Sequence, residues 1–184
     1  MKQYILRALI IILVSAPVFL LIRQPWKSDD RKDVIRVLYD VYMTCLLILV
    51  FNGDYGTPAE MLQSFRERLV TGESISLTPF ETITSFLDWG STDDIWINII
   101  SNFVIFIPFG FILPCLREEF KRLWIIAPAC LGFPVFIEFF QLFINRHTDI
   151  DDVILNFLGG MFGWIIYNIT DKIIKTVKSR HNNQ

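Results

Sequence analysis

Cysteine is scarce in this chain, and none of it is placed for crosslinking. Cys45, Cys115 and Cys130 all lie inside apolar blocks, which excludes a disulfide framework and a structural zinc pattern. They read as small buried hydrophobes. Charge of one sign is missing too: the formal net charge is −2, and no nucleic-acid partner is expected. No serine or cysteine has a recognisable base partner, and no established catalytic signature occurs. The first apolar run follows Lys2 and Arg7, but no small-x-small cleavage site comes after it. Arg23-Gln-Pro-Trp26-Lys27 comes instead, so an uncleaved helix is expected, with Pro17 bending it.

Apolar residues are abundant. They make up 53% of the 184 positions, and they come in blocks. A bilayer core of about 30 Å takes roughly 20 helical residues. Five blocks approach that length: Tyr4–Ile22, Val34–Phe51, Ile97–Leu116, Trp124–Ile144 and Val153–Ile169. The last is at the short limit for spanning. The expected fold is an all-α integral membrane protein, a bundle of about five transmembrane helices with one extracellular amphipathic helix. Residues 1–52 would supply two N-terminal spans, 53–96 an extracellular segment, and 97–184 a three-helix core with a cytoplasmic tail.

Lys and Arg concentrate in cytoplasmic loops. Here they gather at Arg23–Arg36, at Arg117, Lys121 and Arg122, and in the tail from Lys172 to Arg180. That places the N-terminus outside and the C-terminus in the cytoplasm of a multi-pass cell-membrane protein. Trp26 and Trp124 would then mark the inner interface, Trp89 and Trp96 the outer one; Trp164, mid-span, would pack against a neighbour. In the outer segment, Thr57-Pro58-Ala59-Glu60 reads as a capped helix start. Met61, Leu62, Phe65 and Leu69 share one face of that helix, which is expected to cap the bundle. Leu77-Thr78-Pro79-Phe80 is a Pro-fixed turn that could tuck back toward it.

Polar residues inside the apolar blocks are costly unless partnered. Asn98 and Asn102 share a face of the third span, Glu138 and Gln141 a face of the fourth, Asp152 and Asn156 a face of the fifth. At about 1.5 Å per residue, Glu138 lies roughly 9 Å and Asn102 roughly 7–8 Å below their outer helix ends. Arg146, His147 and Asp149 would sit just above. Convergence in one outward-facing pocket is therefore expected, with Glu138 accepting from Asn102 or Gln141 or pairing with Arg146. The plainer alternatives are interhelical glue for Asn98, Asn102 and Gln141, an isolated Glu138–Arg146 pair, and a solvated turn for Asp149, Asp151 and Asp152. In that turn Asp152 would cap the fifth helix and Asp151 would point to water. Near these carboxylates His147 suggests a divalent cation, but no ligand spacing is diagnostic; no metal and no cofactor are expected. Gly159, Gly160 and Gly163 suit close helix packing. Pro108 and Pro134 should bend the third and fourth spans.

The stretches Leu77-Thr78-Pro79-Phe80, Asn102 to Gly110 with Pro108, Glu138-x-x-Gln141, Thr148-Asp149-Ile150-x-Asp152-Val153-x-x-Asn156 and Gly159-Gly160-x-x-Gly163 resemble the VanZ-like membrane proteins. That resemblance covers about Leu77 to Tyr167 and leaves out the first two spans. It implies the cell envelope of a Gram-positive bacterium and lowered susceptibility to glycopeptides of the teicoplanin kind, and it implies no reaction. The expected partners are the lipid bilayer, a lipoglycopeptide or lipid-linked wall precursor, and a second copy of the chain. Two other classes stay open. One is a membrane enzyme acting on a lipid-linked or peptidoglycan headgroup, with Glu138 and Asp149 or Asp152 as an acid–base pair. The other is a small transporter or flippase component that dimerises through the glycine face.

Overall fold

The computed structural model describes residues 31–51, 57–81, 84, 92–144 and 146–182, with only the backbone described over 92–98. The first apolar block, Trp26 and Trp89 lie outside the described residues, as does the side chain of Trp96. Five α-helices follow in order: α1 Arg31–Val50, α2 Pro58–Thr71, α3 Thr92–Leu116, α4 Leu123–Gln141 and α5 Ile150–Asn182. A 3-10 turn, Glu118–Lys121, joins α3 to α4. Three helices are long and apolar enough to cross a membrane: α3 over Ile99–Leu116, α4, and α5 over Ile150–His181. Helix α1 has the length but is not among them; its first half carries Lys32, Asp33, Arg36 and Asp40. Among the described residues the candidate spans are therefore three. The fifth block is not short: its helix runs for 33 residues, from Ile150 through the basic tail. The outward faces of the three spans are apolar, with Val135, Phe136, Phe139, Leu158, Phe162 and Ile165 exposed, as lipid contact requires.

The core is built where α1, α3 and α4 meet. Phe106, Ile126, Cys130, Ile137 and Leu46 are fully enclosed there, with Tyr42 reaching from α1 to donate to the Ile105 carbonyl at 2.8 Å. Trp164 packs against this cluster, and its indole N–H has no partner among the described residues. Helices α3 and α4 continue through Pro108 and Pro114 and through Pro128 and Pro134 without ending.

Helices α3 and α5 touch backbone to backbone. A Cβ placed on Gly159 would lie 2.0 Å from the Phe103 carbonyl oxygen, and one on Gly163 would lie 2.0 Å from that of Ile107. Within lipid, no hydrophobic force draws helices together, so this close approach is what dispersion packing requires. The glycine face is filled by α3 of the same chain.

At the end of the bundle near the cavity, α2 follows expectation and a short strand pairing was not foreseen. Helix α2 has its capping box: Thr57 Oγ1 accepts from the Glu60 N–H at 3.3 Å, and Glu60 accepts from the Thr57 N–H at 2.6 Å. The helix ends at Gly72, whose φ of 72° is the left-handed cap that glycine tolerates. It caps the bundle as expected: Phe65 stacks on Phe143 at 4.2 Å between ring centroids. Just beyond Gly72 the chain forms a short strand. Ile75–Ser76 pairs in parallel with Thr148–Asp149, in the register Ile75↔Thr148 and Ser76↔Asp149, and the Thr148 N–H donates to the Ser74 carbonyl at 2.9 Å. This two-residue ladder ties the segment after α2 to the loop before α5.

Candidate functional site

The start of α5 fixes the site. Asp149 is the N-cap: its Oδ1 accepts from the Asp151 N–H at 2.9 Å, satisfying a donor the helix leaves open. The cap is thus Asp149, and the alternative in which Asp152 capped the helix does not hold. With Asp149 on the cap, Asp152 and Asn156 lie one turn apart on the face toward α3 and α4. Asp151 turns the other way and is 1% exposed, not in water. Its Oδ1 accepts from the Phe80 N–H at 2.5 Å, and Phe80 has a φ of 67°. The Pro79-Phe80 turn does tuck back to the bundle, and Asp151 holds it there.

A cavity of about 270 Å³ opens between the helix ends. Asn102 and Ser101 line it from α3, Glu138 and Gln141 from α4, Asp152 and Asn156 from α5. Arg146 reaches in from the loop, and Leu49 and Val50 close the side with the end of α1. Ile105, Phe106 and Ile137 are apolar contributors that join it to the core.

Of the partners expected for Glu138, Gln141 is present, whereas Asn102 and Arg146 bond elsewhere. Asn102 donates through Nδ2 to Asp152, not to Glu138. Glu138, 5% exposed, accepts from the Asp149 backbone N–H at 3.2 Å. With its amide nitrogen toward the Val50 carbonyl at 3.3 Å, Gln141 would turn its own oxygen on the Glu138 carboxylate. Rotating the amide half a turn removes that repulsion and gives 3.1 Å from the nitrogen to both Glu138 oxygens; we adopt this setting. Arg146 forms no ion pair within 4 Å among the described residues. Its Nη1 donates to the last carbonyls of α1, 2.9 Å to Val50 and 3.4 Å to Leu49. Those carbonyls have no helical partner, so the guanidinium acts as a C-terminal cap supplied from a distant loop. The Arg146 carbonyl in turn accepts from Arg68 at 2.6 Å. Arg68, which is not on the apolar face of α2, is nonetheless buried.

Of the other residues singled out, His147 is exposed and lies outside the cavity wall, and Asp149 is buried but committed to the cap. The side chain of Asn98 falls outside the described residues. No group of three His, Cys, Asp or Glu among the described residues is placed to hold a metal ion. Ser101, the α1 carbonyls, Arg68 and Asp151 were missed. The signal for Asp151 was present only jointly, in a Pro-fixed turn and an acidic helix start distant in sequence. One atom is conspicuous: Asn156 lines the cavity, and its buried Oδ1 has no hydrogen-bond partner among the described residues. A buried unsatisfied acceptor costs about 1–3 kcal/mol, so it calls for a donor that the described residues do not supply.

Apolar spans enclosing a carboxylate-lined cavity near their ends define a helical membrane protein with a buried polar site. The sequence model of the VanZ/LLP1 family matches residues 37–171. The chain is 32% identical to Protein VanZ of Enterococcus faecium over 145 residues, which cover 77% of this chain and 78% of that one. The chain belongs to the VanZ/LLP1 family. The match begins at Val37, so α1, which the motifs alone had left out, is part of the family unit. No solved structure matches the chain.

Proposed function

We propose that the protein lowers the susceptibility of a bacterial cell envelope to glycopeptide antibiotics, acylated ones above all, by occupying an acyl-bearing ligand at its polar cavity. Membership in the VanZ/LLP1 family supports the setting. The observation that carries the binding role is the cavity itself: two carboxylates and the unpartnered Asn156 Oδ1 line a space of about 270 Å³ among membrane helices. Polar groups at that depth are retained for function more often than for stability. The basic residues at the opposite helix ends support an extracellular position for the cavity. There it meets lipid-anchored drugs such as teicoplanin, or the lipid-linked wall precursor they seek. The test is expression of wild type and Glu138→Gln in a sensitive host. Wild type raises the teicoplanin concentration needed to stop growth, and the variant, at equal membrane abundance, does not. No change with well-inserted wild type overturns the reading.

One observation favours a second reading, an enzyme acting on a lipid headgroup. Glu138 and Asp152 share one cavity, as an acid–base pair would. Asp149 drops out of that role, because its side chain caps α5. Comparison of lipids and wall fragments from cells with and without the protein separates the two: a new modified product selects the enzyme, and unchanged products select the binder.

A further inference from the structure

The composition of the cavity wall is one-sided, and this says what kind of group completes it. Acceptors dominate. Glu138 and Asp152 contribute carboxylates, and Asn156 contributes a buried oxygen with no partner among the described residues. Arg146, the one cation that the described residues bring to the wall, donates through Nη1 to the Val50 and Leu49 carbonyls and so is engaged with α1. A phosphate or carboxylate placed against the Glu138 and Asp152 side would meet like charge. A primary ammonium meets the opposite: it is cationic, and its three N–H groups are all donors, with no acceptor to leave unsatisfied. A quaternary ammonium carries the charge but no donor, and would leave Asn156 Oδ1 bare.

A second feature lies across the seam between α1 and α4. There, an apolar groove of about 540 Å³ is lined by Leu47, Phe51, Met61, Phe136, Phe140 and Phe143, among others. Cavity and groove share the same two helix ends: Val50 faces the cavity while Phe51 faces the groove, and Gln141 faces the cavity while Phe140 faces the groove. Across the seam run the edge-to-face contact of Phe51 with Phe140, at 6.2 Å, and the Arg146 bonds to the α1 carbonyls. An amphiphile with its head in the cavity can therefore rest its chain in the groove without leaving membrane depth.

We propose that the cavity binds the protonated primary amine of a membrane lipid headgroup, with that lipid's acyl chain lying in the aromatic groove beside it. This rests on the reading of the cavity as a ligand site, and it names the ligand class. Both Arg146 bonds use Nη1, so the rest of its guanidinium fork still has donors for the headgroup phosphate at the mouth.

The test is native mass spectrometry of the full chain in detergent, offered phosphatidylethanolamine, phosphatidylglycerol and phosphatidylcholine with identical chains. Phosphatidylethanolamine is expected to be retained about tenfold over the other two, the ratio that one charge-assisted hydrogen bond supplies. Glu138→Gln is expected to abolish the preference. Because Glu138 also accepts from the Asp149 N–H, Asn156→Leu serves as the second variant; it removes the bare acceptor and breaks no hydrogen bond among the described residues. It too is expected to lose the preference, and Phe140→Ser to weaken retention of all three lipids. Equal retention of the three by wild type, or a preference that survives Asn156→Leu, overturns the assignment. Free ethanolamine competing as well as the lipid overturns the role of the groove. The outcome is separable from the drug phenotype. If Glu138→Gln abolishes protection while no headgroup preference exists, the site stands and the ammonium assignment falls. If the preference exists without protection, the headgroup assignment stands and the glycopeptide role falls.

Discussion

At the scale of single residues, three neighbouring aspartates do three different jobs. Asp149 caps α5, Asp151 holds the Phe80 turn, and Asp152 accepts from Asn102 in the cavity. Their roles follow from helix geometry: successive positions point about 100° apart, so adjacent carboxylates cannot face one site. Asp151→Ala is therefore expected to act on stability and not on ligand. It leaves the Phe80 N–H without its acceptor in a buried place, costing about 1–3 kcal/mol in unfolding of the solubilised protein. Amide exchange over residues 77–81 should accelerate. Lipid headgroup preference in Asp151→Ala should match wild type; its loss would mean that Asp151 shapes the cavity after all.

At the scale of elements, the glycine contacts between α3 and α5 rank the expected damage. Gly159→Ala and Gly163→Ala each drive a methyl to 2.0 Å from a backbone oxygen, which cannot rotate away, so the helices must separate. Overpacking of this kind costs about 1–3 kcal/mol or more. Gly132→Ala has nothing within 4 Å and should be neutral or slightly stabilising. Gly160→Ala falls between: its nearest obstacle is the Cys130 Sγ at 2.9 Å, and Cys130→Ala in the same chain should recover part of the loss. Thermal unfolding of these variants side by side checks the order. Helix α2 answers to pH instead. Bonds from the Thr57 backbone and hydroxyl hold the exposed Glu60 carboxyl below its ordinary value of 4.5. A depressed carboxyl stabilises above that ordinary value, and its contribution is lost as pH falls through the folded value. Fraying of the first turn of α2 is therefore expected below about pH 4.5, and exchange of its first-turn amides with and without Glu60→Gln measures it. If the first turn of the wild type frays no more on acidification than that of Glu60→Gln, the capping box contributes nothing there.

At the scale of the whole molecule, the bundle is tied at the end that holds the cavity by a relay that crosses the sequence. Arg68 on α2 donates to the Arg146 carbonyl, and the Arg146 side chain caps α1. Arg146→Met is expected to loosen α1 and α2 together, seen as increased proteolysis near residues 50–57, while α3, α4 and α5 keep their glycine packing. The direction of insertion is a separate matter, decided by the basic residues. A single cysteine introduced at the exposed His147 should react with a membrane-impermeant thiol reagent from outside, and one at Ser179 only after permeabilisation. The reverse pattern would put the cavity on the cytoplasmic side and end the proposal of contact with extracellular drugs.

The sequence by itself determined a good deal. Apolar blocks dictated the membrane helices, because only helices satisfy their own backbone in lipid. The Thr57-Pro58-Ala59-Glu60 cap was legible because capping chemistry is local, within three residues. Even the meeting of Asn102, Glu138, Gln141, Arg146, Asp152 and Asn156 could be read, since each carries a cost in lipid that only another polar group offsets. What the tertiary structure alone decided was who bonds to whom. Arg146 reaches the carbonyls of α1, Asn102 reaches Asp152, and Asp151 reaches Phe80, across separations of 96, 50 and 71 residues. The parallel pairing of Ile75–Ser76 with Thr148–Asp149 likewise joins segments that no local pattern connects. The physical reason is that helical periodicity assigns a face and a depth to each side chain, while partners are chosen by how the helices are rotated and how closely they approach. In this chain that rotation and approach are set by the backbone contacts at Gly159 and Gly163.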